Sequence, residues 1–79
     1  MRAKDAYRVI VTRGGRAPAL LADPARLDHI EVVEIESGEA ILLWDRPPHA
    51  ASRLARAVRA DLNSMEAEDF RARWSTVES

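Results

Sequence analysis

The chain contains no cysteine and only two histidines, His29 and His49. Disulfides, thiolate metal sites and cysteine nucleophiles are therefore excluded. Two imidazoles are too few for an ordinary zinc site unless carboxylates complete the ligand set. The sequence also carries no P-loop and no clear pairing of a nucleophile with a base. We therefore predict a protein that is not an enzyme, with no metal, no cofactor and no small-molecule substrate.

Long apolar runs are also missing. Uncharged stretches such as Ala17 to Ala22 are far too short to span a bilayer. The first five residues carry charge with no apolar core behind them, unlike a signal peptide. These features predict a cytoplasmic protein that has no membrane partner. Arginine outnumbers lysine eleven to one and alanine is abundant, which indicates a GC-rich bacterial coding sequence.

Seventy-nine residues make one small domain, residues 1–79. A chain of this length buries only about 60–65% of its unfolded surface, so its core is marginal without disulfides, a metal or a partner chain. Because cysteine is absent, we expect the stabilising contribution to come from oligomerisation or from unusually good packing.

The net charge is −1, but the charges lie in blocks. Counting from the sequence, residues 1–27 carry +4, residues 28–45 carry −6, residues 46–60 carry +4 and residues 61–79 carry −3. Alternating blocks favour complementarity within or between subunits over a single basic field. A dedicated DNA-binding protein normally shows an overall basic bias, which is absent here.

Two regions of alternating, β-prone residues predict a small sheet. A strand over about 6–13 ends at a pair of glycines, and an irregular segment follows over 14–28. Residues 29–45 read as a hairpin whose turn places Gly38 in a left-handed conformation. The irregular segment is long for a structureless loop, so its leucines are expected to pack on something.

Two helices are predicted after the hairpin, over about 48–62 and 64–74. Prolines suit the first turn of the earlier helix, and Asn63 with Glu66 matches a capping box for the later one. The apolar stripe of the first helix comprises Ala51, Leu54, Ala55, Val58 and Leu62. The predicted class is α+β, a small three-stranded antiparallel sheet (β–loop–β–β) followed by two C-terminal helices packed on one face.

The hairpin is apolar on both faces. With a three-residue loop, Val33 faces Ile41 on one face, whereas a two-residue loop would shift this pairing by one. The first face carries Val33, Ile35, Ile41 and Leu43, and the second carries Ile30, Val32, Leu42 and Trp44. Two short helices cover one face only, so either segment 14–28 or another protein covers the other face. We expect the Trp44 face to join the core, because the larger side chain gains more from burial there.

The predicted function is that of a small bacterial interaction module, a homodimer or a subunit that docks on another protein. Its predicted interface is the face formed by Val33, Ile35, Ile41 and Leu43. The alternative is a nucleic-acid-binding regulator that uses the arginines of the predicted helix and its start, with Arg13 and Arg16 adding phosphate contacts. The arginines in question are Arg46, Arg53, Arg56 and Arg59.

Other polar motifs have ordinary explanations that we favour. Most of the arginines on the helix lie opposite its apolar stripe, where a small domain needs solvated residues. Asp28, His29 and Glu31 resemble a general-base cluster, but acidic strand residues usually face water. The glycines between Arg13 and Arg16 resemble a phosphate-binding nest, yet such a pair more often ends a strand. The large aromatic residues Trp44, Phe70 and Trp74 are expected to be core anchors.

Overall fold

The computed structural model describes residues 1–14 and 27–77. In chain order the elements are α1 (Ala3–Ala6), β1 (Tyr7–Thr12), β2 (Asp28–Glu34), β3 (Ala40–Arg46), α2 (Pro48–Ser64) and α3 (Ala67–Trp74). The strands form one antiparallel sheet in the order β1-β2-β3. The predicted α+β class, a three-stranded antiparallel sheet followed by two helices, is confirmed. The expectation that segment 14–28 folds back over the sheet concerns residues that lie mostly outside the described ones.

The side chains of alternate strand residues build the core between the sheet and the helices. Tyr7 of β1, Ile30 of β2 and Trp44 of β3 are buried there, as strand periodicity requires. The remaining buried apolar residues are Ala3, Val32, Ala51, Ala55, Val58, Phe70 and Trp74. The expectation that the three large aromatics anchor the core is therefore confirmed.

Aromatic contacts join the helices to the sheet. The rings of Tyr7 and Phe70 stack with their centroids 5.6 Å apart, and Trp44 meets Trp74 edge to face at 6.0 Å. The indole N–H of Trp74 donates to Oδ2 of Asp61 at 3.0 Å, so this buried donor has a partner. These contacts fix α3 against both the sheet and α2.

The link between α2 and α3 differs from the predicted capping box. Helix α2 continues through Asn63, and the N-cap of α3 is Glu66, whose side chain does not cap the helix. The Glu66 carboxylate instead lies 3.3 Å from Nη1 of Arg2 and 3.3 Å from the N-terminal ammonium. The capping-box prediction is wrong because the N-terminal segment occupies the position next to this link.

The N-terminal segment supplies the backbone partners of that link. The amide of Ala3 donates to the carbonyl of Met65 at 3.0 Å, and the amide of Ala67 donates to the carbonyl of Met1 at 2.8 Å. The first N–H groups of a helix need such acceptors because no intrahelical carbonyl reaches them. The short helix α1, which sequence periodicity does not indicate, is thus held between β1 and the two larger helices.

The hairpin register changes at a β-bulge. Val32 pairs with Leu42, as a three-residue loop predicts, but Val33 pairs with Ala40. Ile41 is therefore the extra residue, and its predicted pairing with Val33 is wrong. Gly38 adopts φ +75° in the turn, a left-handed conformation that strains other residues.

Candidate interaction surfaces

The sheet face opposite the helices, here called the open face, carries exposed apolar side chains. Ile10 of β1 is 39% exposed, Leu43 of β3 is 46% exposed and Ile35, just beyond β2, is 47% exposed. Val33 lies between them and is half-buried. Three of the four residues predicted for a partner interface, Val33, Ile35 and Leu43, therefore lie on or beside this face.

Ile41 does not belong to the same surface. It is half-buried and packs against the core cluster, because the bulge removes it from the regular alternation of β3. Ile10 takes its place among the exposed apolar residues, although it comes from the first strand. The alternation of β1 placed Ile10 opposite Tyr7 and Val9, and this was the signal that would have identified it.

A shallow apolar cavity of about 150 Å³ opens on this face. Its lining residues are Arg8, Ile10, Val33, Glu34, Ile35 and Gly38. Leu43 stands across β2 from this cavity, since Leu43 and Ile10 both pair with Glu31. Directly paired residues point to the same side of a sheet, so the cavity and an exposed leucine share one surface.

Polar side chains border the apolar part of the open face. Nδ1 of His29 is hydrogen-bonded to Oδ1 of Asp45 on the neighbouring strand. Arg8 pairs with Val33 from the edge strand β1, whereas Glu31 lies on the central strand between Ile10 and Leu43. The open face therefore combines exposed apolar residues with charges of both signs, and one of these charges, that of Glu31, lies among the apolar residues.

The residues of the suggested general-base cluster do not come together. Asp28 is 2% exposed and lies on the covered face, where its Oδ1 accepts a hydrogen bond from the amide of Gly14 at 3.0 Å. His29 and Glu31 point to the open face. Because it donates to Asp28, the Gly14 amide of the suggested phosphate nest is already hydrogen-bonded to a carboxylate of the chain. Gly15 and Arg16, the rest of that nest, lie outside the described residues.

The arginines of the nucleic-acid alternative are divided between several places. Arg56 and Arg59 are exposed on α2 and line a polar cavity of about 380 Å³ together with Arg13. Arg53 is exposed on α2 but does not line that cavity, and Arg46 lies half-buried at the end of β3. The proximity of Arg13 to the helix arginines depends on the contact between β1 and α2, which sequence spacing does not reveal.

Three comparisons with known proteins gave no relative: no family model, no curated protein and no solved structure matches the chain. Within residues 1–14 and 27–77, no three histidine or acidic side chains are grouped so that they would hold a metal ion. None of the helices in that part of the chain has the length and apolar character needed to cross a membrane.

Proposed function

We propose that the protein is a small, non-enzymatic interaction module that self-associates through its open face. The observation that carries this proposal is the apolar cavity formed by Ile10, Val33 and Ile35, with the exposed Leu43 beside it on the same face. Contiguous exposed apolar residues on a soluble protein commonly mark an interaction site, and a side chain that fills a pocket on its partner anchors such a contact.

Two-fold symmetry suits this arrangement. In a symmetric dimer the same surface of both copies meets, so a group on one copy contacts its complement on the other. A two-fold axis between Leu43 and the cavity would place each leucine in the cavity of the partner copy. The open face carries Arg8 as well as Glu31 and Asp45, so the approaching copies do not present charge of one sign only.

The expected affinity is modest. Fully burying an isoleucine or leucine side chain contributes about 1.5–3 kcal/mol, but Ile10, Ile35 and Leu43 are already about half covered. Each therefore gains roughly 1 kcal/mol, and association must first offset lost translational and rotational freedom. The three side chains of each copy together contribute about 6 kcal/mol before that cost, so we expect a weak dimer with fast subunit exchange that is most populated at the highest concentrations of a dilution series.

A charge-pair experiment tests the proposed contact. Leu43→Lys and Ile35→Glu should each be monomeric, because each places an uncompensated charge in the apolar contact. An equimolar mixture of the two variants should associate, since one contact then joins Lys to Glu and the other remains Leu to Ile. Sedimentation velocity and light scattering across a hundredfold dilution series measure the masses. Ala57→Lys, which adds the same charge at an exposed position of α2, is the matched control and should behave like the parent.

A parent protein that remains monomeric throughout the series would contradict self-association. If Leu43→Lys and Ile35→Glu each associate as the parent does, the dimer contact is not on the open face. Circular dichroism should show that both variants keep their fold, because the substituted positions are exposed on the side away from the core.

A further inference from the structure

We propose that a basic groove between β1 and α2 binds the phosphate backbone of nucleic acid without reading its sequence. The groove consists of two cavities of about 350 and 380 Å³, and Arg59 lines both of them. Its cationic residues are Lys4, Arg8, Arg13, Arg56 and Arg59. The groove shares Arg8 and Ile35 with the cavity of the open face, so its test uses variants at Arg56 and Arg59, which lie on α2 away from that face.

The cations form a row along the groove. Arg8 and Arg13 lie at the two ends of β1, about 17 Å apart at about 3.3 Å per strand residue. On α2, Arg56 and Arg59 lie about one helical turn apart and line one cavity with Arg13. Arg59 also lines the other cavity with Arg8. One strand of a duplex advances about 3.4 Å per nucleotide, so the row matches roughly five nucleotides.

The described part of the chain does not neutralise the positive charge of the groove. No acidic side chain of residues 1–14 and 27–77 lines either cavity. Among the residues that the structure describes, none of the five cations forms an ion pair. Because five like charges border one depression, a bound polyanion would relieve their repulsion and release its own counterions.

The donor chemistry of the groove suits the oxygens of phosphate groups. Four of the five cations are arginines, whose planar guanidinium forms two parallel hydrogen bonds to phosphate oxygens. The hydroxyl of Ser52 and the amide of Asn63 add neutral donors, one in each cavity. Such donors recur at the sugar–phosphate backbone and position a strand without reading its bases.

The near-zero net charge of the chain conceals this groove. The contact between β1 and α2 brings Lys4, Arg8 and Arg13 of the first basic block beside Arg56 and Arg59 of the second. The acidic block of residues 28–45 instead forms β2 and β3. An adjoining cavity lined by Asp5, Glu34 and Glu36 limits the groove near Tyr7, so the bound strand should leave beyond Arg13.

Binding to fluorescently labelled oligonucleotides tests the proposal. Fluorescence anisotropy with duplex and single-stranded DNA, between about 50 and 200 mM salt, should show affinity that falls as salt rises. If Arg13, Arg56 and Arg59 each neutralise one duplex phosphate, the slope of log K against log salt is about −2.7. The double variant Arg56→Gln with Arg59→Gln should reduce the slope by about 1.8 and the affinity at least tenfold at the lowest salt.

The matched control is Arg53→Gln with Arg71→Gln. Both residues are exposed and outside the groove, and the double change removes the same net charge. It should keep the parental slope and most of the affinity. Thermal unfolding should match the parent for both double variants, since the substituted arginines form no ion pairs within the described part of the chain.

Three outcomes would overturn the proposal. Equal losses in both double variants would show that net charge alone attracts DNA. Affinity that does not depend on salt would exclude phosphate contacts. Polyglutamate of matched charge that competes as well as the oligonucleotide would assign the groove to an acidic protein. The substituted arginines are not on the open face, so the arginine variants should have the same mass in solution as the parent. A failure to bind DNA can therefore be distinguished from a failure to self-associate.

Discussion

The two faces of the sheet use similar residues in opposite ways. Val32 is fully buried on the covered face, while Val33, its neighbour in sequence, is half-buried on the open face. Trp44 is 1% exposed and Leu43, one residue before it, is 46% exposed. Strand alternation therefore assigns an apolar residue to one face of the sheet. Whether that residue stabilises the fold or remains available for contact depends on whether helices pack on that face.

The largest expected effect is a difference in the free energy of unfolding between variants of the core and variants of the open face. Phe70→Ala and Trp74→Ala should each lower the free energy of unfolding by about 3 kcal/mol or more, because each removes an aromatic anchor from a small core. Leu43→Ala should lower it by about 1 kcal/mol or less in the monomer. Urea denaturation at low protein concentration measures all three. Equal losses for Phe70 and Leu43 would mean that the open face is as well covered as the core.

An intermediate effect is expected at the hydrogen bond between the indole of Trp74 and the carboxylate of Asp61. Asp61→Ala removes the acceptor of the Trp74 indole N–H and the ion pair with Arg73. Leaving that buried donor without a partner should cost about 1–3 kcal/mol. Arg73→Ala removes the ion pair only and should cost under about 1 kcal/mol, since its side chain is largely exposed. If the two variants unfold at the same urea concentration, the indole hydrogen bond does not stabilise α3.

The smallest expected effect depends on pH. The hydrogen bond from Arg2, and then that from the N-terminal ammonium, lower the pKa of Glu66 below its ordinary value. A lowered folded-state pKa stabilises the protein above the ordinary glutamate pKa, and this contribution is lost as pH falls through the lowered value. The midpoint temperature of thermal unfolding of Glu66→Gln should therefore lie slightly below that of the parent at neutral pH, and the two midpoints should converge in acid. A difference that stays constant down to the most acidic pH would exclude this ion pair as its cause.

Features set by local periodicity were predictable, and features set by distant contacts were not. The inward position of Trp44 and the apolar stripe of α2 follow from periods of two and 3.6 residues. The bulge at Ile41 has no such signal, because one extra residue in a strand changes little in the local pattern. The meeting of Arg13 with Arg59 depends on how β1 packs against α2, so it appears only in the folded chain.

The docking of the N-terminal segment on the link between α2 and α3 has a consequence for the time course of synthesis. The bonds from Ala3 to Met65 and from Ala67 to Met1 join residues separated by about sixty positions, which is costly to close before the rest of the chain has folded. At about 5–20 residues per second, a ribosome needs about 3–12 seconds to make the intervening chain. During that interval the ring of Tyr7 has no contact with Phe70, so β1, which is made before β2 and β3, gains its aromatic contact only after both of those strands have been made.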